Sequence, residues 1–271
     1  MSPVSPSTKS PSAGSSHSRP LRVAHRGASA EAPENTAVAF DLALKQGAQA
    51  IEMDLQLTAD ERVIVFHDRV LTKLGLPQQA HELTLAEWQA LDLGGWFHPR
   101  FAGERVLTLE EVLERWGGRC QLLLELKGRE PEREARLARQ AAQLVTAGGW
   151  LESVWFLCFR AAALGETAQA AHGARLAWNL EHPPDALEGK GPLPPELRVS
   201  SAFPWAFSLD TSLVTPARVQ TARNLGGQVW AWVCNDAPTL DRLLAAGVDA
   251  VMSDNPGWLG EELDRREGGQ P

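Results

Sequence analysis

From Leu21 to about Leu263, short runs rich in Val, Ile and Leu alternate with longer stretches whose apolar positions recur every three or four residues. The first pattern predicts strands, the second helices that bury one face. Their alternation predicts a parallel sheet with crossover helices. The predicted strands are Leu21–His25, Ala50–Leu55, Val63–His67, Gln121–Leu126, Val154–Phe159, Arg175–Leu180, Gln228–Val233 and Val248–Met252. Two further runs, Arg198–Phe203 and Ala206–Leu209, compete to replace one of these or to serve as loops. The helices between them are predicted at Thr36–Gln46, Thr84–Leu91, Thr108–Trp116, Glu130–Ala147, Ala161–Ala171, Pro216–Leu225 and Ala237–Ala246. Thr108 ahead of Glu110 and Glu111, and Asp236 ahead of Ala237 and Pro238, have the composition of helix starts. Gly47, Gly148 and Gly247 stand where helices end in a left-handed residue.

Eight strands are the number that a closed (β/α)8, TIM-type barrel requires, and such barrels commonly run to about 250 residues. One connection is irregular. Between Asp54 and Val63 there is no room for a helix, so either a bare loop crosses there or the two runs form a hairpin. After His67, by contrast, about forty residues pass before the next convincing strand, and a long excursion at that position is where a substrate cap is built. The expected organisation is a tail over residues 1–20, a single barrel domain over 21–263 and a polar tail over 264–271.

Composition narrows the picture further. The first twenty residues hold eight Ser and four Pro and cannot offset the entropy of ordering themselves. Among 271 residues, 44% are hydrophobic and 22% charged, which is enough apolar material for a large core. A formal charge of -8 argues against a non-specific grip on nucleic acid or on an anionic membrane, so any phosphate must be met locally. The three cysteines, Cys120, Cys158 and Cys234, are far apart in apolar runs and fit a reducing compartment. No apolar stretch is long enough to span a bilayer, and the N-terminus has no apolar core of the signal-peptide kind. The expectation is a cytoplasmic protein.

Four of the predicted strands break from apolar to ionisable at the same relative place: Ala24-His25-Arg26-Gly27, Ile51-Glu52-Met53-Asp54, Phe66-His67-Asp68 and Leu124-Glu125-Leu126-Lys127. In a parallel barrel those ends converge on one mouth. Side chains two apart share a face, so Glu52 lies with Asp54 and Glu125 with Lys127. Three carboxylates in a partly dry site repel one another unless a cation holds them, and all-oxygen ligation favours one hard divalent ion, Mg²⁺ or Ca²⁺. His25 and His67 are the candidate acid–base pair. Arg26 and Lys127 are the natural phosphate contacts. Alone, each residue has an ordinary structural explanation; four matching strand ends do not.

In order, these runs resemble the glycerophosphodiester phosphodiesterase family, within the superfamily of barrels that includes the phosphoinositide phospholipases. The first signature covers Ala24 to Gly27, Ala32-Pro33-Glu34-Asn35-Thr36 and Ala39-Phe40. The second covers Ile51 to Leu55, Thr58, Asp60, Val63 and Val65 to Asp68. Further matches continue through Leu107 to Glu111, Leu124 to Lys127 and Val229 to Asn235, ending at Gly247 to Ala250 and Ser253 to Pro256.

The resemblance implies a TIM-type barrel, one divalent cation on Glu52, Asp54 and Glu125, catalytic His25 and His67, and phosphate contacts from Arg26 and Lys127. It also implies hydrolysis of a small-molecule glycerophosphodiester to sn-glycerol 3-phosphate and an alcohol. Trp232 matches the family's Trp and is expected at the substrate, with Trp230 on the same face. At Cys158 the family tends to carry Ser, which predicts an altered polar contact near the substrate.

Three rivals are weaker. A lysophospholipase D or sphingomyelinase D-like enzyme needs a greasy mouth, and the excursion offers only Trp88, Trp96, Phe97 and Phe101 as large aromatics. Metal-dependent amidases of this fold use His-x-His on the first strand, whereas this chain has His-Arg-Gly. A non-catalytic phosphate-binding barrel would have lost part of a set that is complete here.

Overall fold

The computed structural model describes residues 19–128, 130–198 and 205–268. Among the described residues ten strands form one sheet: β1 (Leu21–His25), β2 (Ala50–Leu57), β3 (Val63–Val65), β4 (Leu107–Thr108), β5 (Gln121–Leu126), β6 (Val154–Cys158), β7 (Arg175–Leu180), β8 (Trp205–Asp210), β9 (Gln228–Trp232) and β10 (Ala250–Ser253). Eight of them are parallel and close on themselves in the order β1-β10-β9-β8-β7-β6-β5-β2, with β2 pairing back to β1. The helices are α1 (Ala37–Lys45), α2 (Leu85–Ala90), α3 (Leu109–Trp116), α4 (Pro131–Ala147), α5 (Ala161–Ala170), α6 (Pro195–Arg198), α7 (Pro216–Asn224), α8 (Ala237–Ala246) and α9 (Pro256–Gly268). The TIM-type barrel is therefore present.

Its membership differs from the sequence expectation at one strand. Val63–His67 is not a barrel strand: β3 runs antiparallel to β2, with Leu55 opposite Val65 and Leu57 opposite Val63. The hairpin closes through Thr58, whose amide donates to the Arg62 carbonyl at 2.9 Å and whose hydroxyl donates to Asp60 at 2.6 Å. Five residues suffice to reverse the chain and cannot carry a crossover helix, which settles the alternative in favour of the hairpin. The eighth barrel strand is instead β8, which contains the run Ala206–Leu209, while most of Arg198–Phe203 lies outside the described residues.

Local chemistry fixes the helix ends. Thr108 caps α3 through a reciprocal pair, accepting from the Glu111 amide while the Glu111 carboxylate accepts from the Thr108 amide. Asp236 caps α8 ahead of its early proline. Past α4 the left-handed residue is Gly149 (φ 74°), because Gly148 keeps a helical φ of -82°. α9 continues beyond Leu263, the expected domain end, where Arg19 meets Asp264 at 2.6 Å and Glu267 at 2.9 Å.

The main core lies between the outer face of the barrel and the helices, with Phe40, Ile51, Leu124, Phe156 and Phe207 fully buried in it. A separate cluster around Ile64, Phe66, Leu71, Trp88 and Val106 gives the excursion after β3 a small core of its own. Among the described residues, no helix is long and apolar enough to cross a membrane.

Candidate active site

The lumen is built in tiers, because every second residue of a strand faces inward. Val23, Ala50, Leu123, Trp155, Ala177, Ala206, Trp230 and Ala250 form an apolar tier, one from each barrel strand. Two residues further on stand His25, Glu52, Glu125, Leu157, Asn179, Ser208, Trp232 and Met252, and all eight line one cavity of about 190 Å³ at the C-terminal mouth. Polarity changes within a single step of the pleat. Arg26, His67, Lys127 and Phe159 complete the wall, with Glu181 at the rim.

Register brings the acidic residues together. His25 is the Cα partner of Glu52, and Asp54 that of Glu125. Oxygens of Glu52, Asp54 and Glu125 lie within 4.8 Å of one another. Asn35 fixes Asp54, donating from Nδ2 to Oδ2 at 2.8 Å. Arg26 holds a left-handed backbone (φ 58°), and from there its amide donates to Glu52 Oε2 at 3.1 Å while its Nε lies 3.1 Å from Asp54 Oδ2. Lys127 Nζ approaches Glu125 at 2.5 Å and Asp54 Oδ1 at 3.2 Å.

Two cations facing three buried carboxylates leave one negative charge uncompensated. Burial pushes the Glu52 carboxyl well above the ordinary range, Asp54 and Glu125 push it further, and Arg26 and Lys127 oppose only in part. Burial also raises Glu125, against the pull of Lys127. At Asp54 burial acts the same way but is outweighed by Lys127, Arg26 and the Asn35 hydrogen bond, which hold its carboxyl low. Burial would lower Arg26 and Lys127, yet both are held above their usual values, by Asp54 foremost. Glu52 Oε1 is buried with no hydrogen-bond partner among the described residues. An orphaned carboxylate oxygen beside two further carboxylates is a donor set that a hard divalent cation fits.

A second acidic group, Glu34, His67 and Asp68, is differently arranged. Lys73 Nζ sits 2.8 Å from Glu34 and 3.2 Å from Asp68, so an ammonium already neutralises it.

Each histidine leans on its own carboxylate. His25 Nδ1 lies 2.6 Å from Asp254 Oδ1, and His67 Nδ1 lies 2.8 Å from Asp68 Oδ1. Asp254 is held further by Ser29 and Asn235. With Nδ1 engaged, the His25 ring can present Nε2 to a ligand. His67 reaches the cavity differently from the sequence expectation: the hairpin turns the chain back, and the Phe66 amide donates to the Asp54 carbonyl at 2.8 Å. Gln56 then fixes the loop by donating to the carbonyls of Phe66 and Asp68.

All eight candidates read from the sequence, His25, His67, Glu52, Asp54, Glu125, Arg26, Lys127 and Trp232, meet at this mouth. Trp230 lies one tier lower, packed edge-on against Trp155 at 4.6 Å, whereas Trp232 meets Phe159 at 5.7 Å beside the cavity. Cys158 faces the helices, its Sγ 3.5 Å from the Leu126 carbonyl, so its difference from the family leaves the cavity wall unchanged. Sequence reasoning missed Asp254, Asp68, Asn179 and Ser208 as parts of the site. The period-2 count from the apolar tier would have found Asn179 and Ser208.

The chain matches the Glycerophosphoryl diester phosphodiesterase family over residues 25–258. It is 30% identical over 244 residues to a glycerophosphodiester phosphodiesterase of Caldanaerobacter subterraneus subsp. tengcongensis, covering 88% of this chain and 96% of that one. The fold is similar to that of the crystal structure of a glycerophosphodiester phosphodiesterase from Agrobacterium tumefaciens, with a TM-score of 0.74, 27% identity, and coverage of 88% and 98%. It is also similar to an Oleispira antarctica phosphodiesterase solved in complex with the product sn-glycerol-3-phosphate, with a TM-score of 0.79, 26% identity, and coverage of 90% and 97%.

Proposed function

Because the chain belongs to the glycerophosphoryl diester phosphodiesterase family and is a glycerophosphodiester phosphodiesterase, we propose that it works with one divalent cation and a histidine pair, releasing sn-glycerol 3-phosphate and an alcohol. Glu52, Asp54 and Glu125 would hold Mg²⁺ or Ca²⁺. A bound cation would supply Lewis-acid stabilisation of charge on the phosphoryl oxygens. Arg26 and Lys127 orient the phosphate and offset charge that develops on it.

His25 and His67 divide the proton work. One accepts the proton of the attacking hydroxyl as the new P–O bond forms; the other gives a proton to the alcohol oxygen as the old P–O bond breaks. The attacking group is either the substrate's own glycerol hydroxyl, giving a cyclic phosphate that water then opens with the histidines in exchanged roles, or water directly. Trapping a cyclic glycerophosphate identifies the first route, and its absence at every time point identifies the second.

The observation that carries this reading is that both histidines line the same cavity as the carboxylate cluster, each with a carboxylate on Nδ1. Substrate size supports it too: about 190 Å³ suits a small polar diester, and Trp96 and Phe159 are the only exposed large hydrophobics among the described residues. A lysolipid would need a wider apolar channel. A cytoplasmic location belongs to the same proposal, supported by three unpaired cysteines. The test is turnover of a glycerophosphodiester by the His25→Ala and His67→Ala variants, with and without a chelator. Loss of turnover in both variants and in the chelated wild type, with unchanged thermal melts for the variants, is expected; near-normal activity in either variant overturns its role, and indifference to chelation overturns the cation.

A further inference from the structure

A second cavity, of about 70 Å³, shares only Lys127 with the catalytic one. Two parts of the chain wall it. Past β3 the backbone folds back on itself: Val70 and Gln79 form an antiparallel bridge, and the Ala80 amide donates to the Arg69 carbonyl at 2.9 Å. That contact brings Arg69 and His81 to the same cavity. The end of β5 and the first turn of α4 supply Lys127, Glu130 and Arg133. A Cβ on Gly128 would lie 2.0 Å from the Glu134 Cα, so only glycine lets these two segments approach so closely.

The charge of the cavity runs against that of the chain. In a protein of formal charge -8, two guanidiniums, an ammonium and an imidazole line it against one carboxylate, Glu130. Among the described residues the guanidiniums have only neutral hydrogen-bond partners. Arg69 donates from Nε to Gln79 Oε1 at 3.0 Å, and Arg133 from Nη2 to the Leu57 and Thr58 carbonyls, each at 2.8 Å. Burial holds the Arg133 guanidinium below its usual value; Glu61 and Glu130 oppose this, and Arg136 works against them. So many cationic donors beside so little negative charge are short of an anion.

The chemistry of that anion follows from the donors. Arg and Lys side chains donate and never accept, so the ligand brings acceptors. These donors come from separate segments and outnumber what the two oxygens of a carboxylate can take, whereas a tetrahedral phosphate has oxygens on every side. The volume excludes a drug-sized organic molecule, which takes roughly 300 Å³ or more.

We propose that Arg69, His81 and Arg133 form a second phosphate site, adjoining the catalytic cavity at Lys127. Its occupant is either a further phosphate carried by the leaving alcohol of the diester or free inorganic phosphate acting as an effector. Lys127, common to both cavities, links the site to turnover. Binding here does not depend on the roles assigned to His25, His67 and the carboxylates; an effect on turnover does.

The test uses the full chain and two variants, Arg69→Met and His81→Ala, which leave Lys127 and the catalytic residues in place. Arg133 is left alone because it also holds the hairpin carbonyls. Inorganic phosphate is titrated by calorimetry in chelator at constant ionic strength, so that neither a bound cation nor general screening contributes. Wild type should bind phosphate, and Arg69→Met should bind it about tenfold more weakly through loss of charge-assisted hydrogen bonds. His81→Ala should weaken it less. Both variants should melt like wild type; if one does not, the other carries the test. No binding to wild type, or equal affinity in all three proteins, would overturn the site.

Two kinetic arms identify the source of the phosphate. Glycerophosphoinositol and glycerophosphoinositol 4-phosphate differ by one phosphate group. If the leaving alcohol carries the occupant, Arg69→Met should lower kcat/KM for the phosphorylated diester about tenfold and leave the other unchanged. If free phosphate is the occupant, it should alter wild-type turnover of glycerophosphoinositol in a way that more substrate does not reverse, and Arg69→Met should abolish that effect. Identical behaviour of wild type and Arg69→Met in both arms would overturn the link to turnover. Inactivity of the wild type on both diesters would instead overturn the catalytic reading and leave the titration to decide the site.

Discussion

His25 and Asp254 are 229 positions apart in sequence and 2.6 Å apart in space, Nδ1 to Oδ1, because β1 and β10 are the first and last strands of a closed ring and lie side by side. Burial disfavours the Asp254 carboxylate, but hydrogen bonds and charge from His25, with Asn235 and Ser29 in support, outweigh it and hold the carboxyl below its usual range. An ionised Asp254 favours the tautomer of a neutral His25 with its proton on Nδ1, which is the one that the proposed acid–base role requires.

Asp254→Asn tests that arrangement. An amide can donate to Nδ1 and so favours the other tautomer, which puts the proton on the nitrogen that should accept one. The expected result is a loss in kcat of up to about 10²-fold, with KM nearly unchanged, since general acid–base catalysis contributes roughly 10²–10⁴-fold. Steady-state kinetics across pH check it, and a variant with wild-type kcat would remove Asp254 from any positioning role.

The carboxylate cluster predicts a link between cation and stability. A cation that binds the folded chain alone, at 100 times its dissociation constant, stabilises it by about 2.7 kcal/mol. Mg²⁺ or Ca²⁺ should therefore raise the thermal midpoint of the wild type. Glu52→Gln should lose that rise and, with one buried charge fewer, be no less stable than the wild type in chelator. An equal cation-induced rise in both proteins would show that Glu52 is not a ligand.

The fold and most of the candidate site were legible in the sequence because they are written in short runs: an apolar strand, then an ionisable residue at its end. Val63–His67 has that form yet belongs to a hairpin, since the run itself does not specify a parallel or an antiparallel partner; the five-residue turn before it does. β8 was hard to recognise because its inward positions Ala206 and Ser208 are small and its apolar run is short. Asp254 gave no local signal of its contact with His25, which exists only once the ring closes. Asn179 looked like one polar residue in an apolar run, and only the tier beneath it shows which way it points.

Asp68 predicts a dependence of stability on acid. Its hydrogen bond from His67, with Lys73 in support, outweighs burial and holds its carboxyl down at about 2, against about 3.9 for an unfolded aspartate. A folded-state pKa below the unfolded value stabilises above the unfolded pKa and is lost as pH falls through the folded one. The advantage of wild type over Asp68→Asn, on the order of 1 kcal/mol for a partly exposed pair, should thus be complete above about pH 4 and shrink toward pH 2. Urea midpoints of both proteins from pH 6 to pH 2 measure it, and a gap that widens on acidification would contradict the assignment.

Gly27 links backbone geometry to the site. It follows Arg26, and both residues are left-handed, with φ of 84° and 58°. A Cβ at position 27 would lie 2.7 Å from the Ala39 carbonyl carbon and 2.9 Å from its oxygen, on the backbone of α1, which cannot swing aside as a side chain could. The Ala28 amide also donates to that carbonyl at 3.0 Å, so any movement would break a bond as well as relieve a clash. Gly27→Ala should therefore cost about 1–3 kcal/mol of stability. Because the turn also aims the Arg26 amide at Glu52 and its guanidinium at Asp54, activity should fall by more than the fraction unfolded accounts for. Thermal melts paired with kinetics below the melting range separate the two effects, and a variant that melts like wild type would show that the turn is not under this constraint.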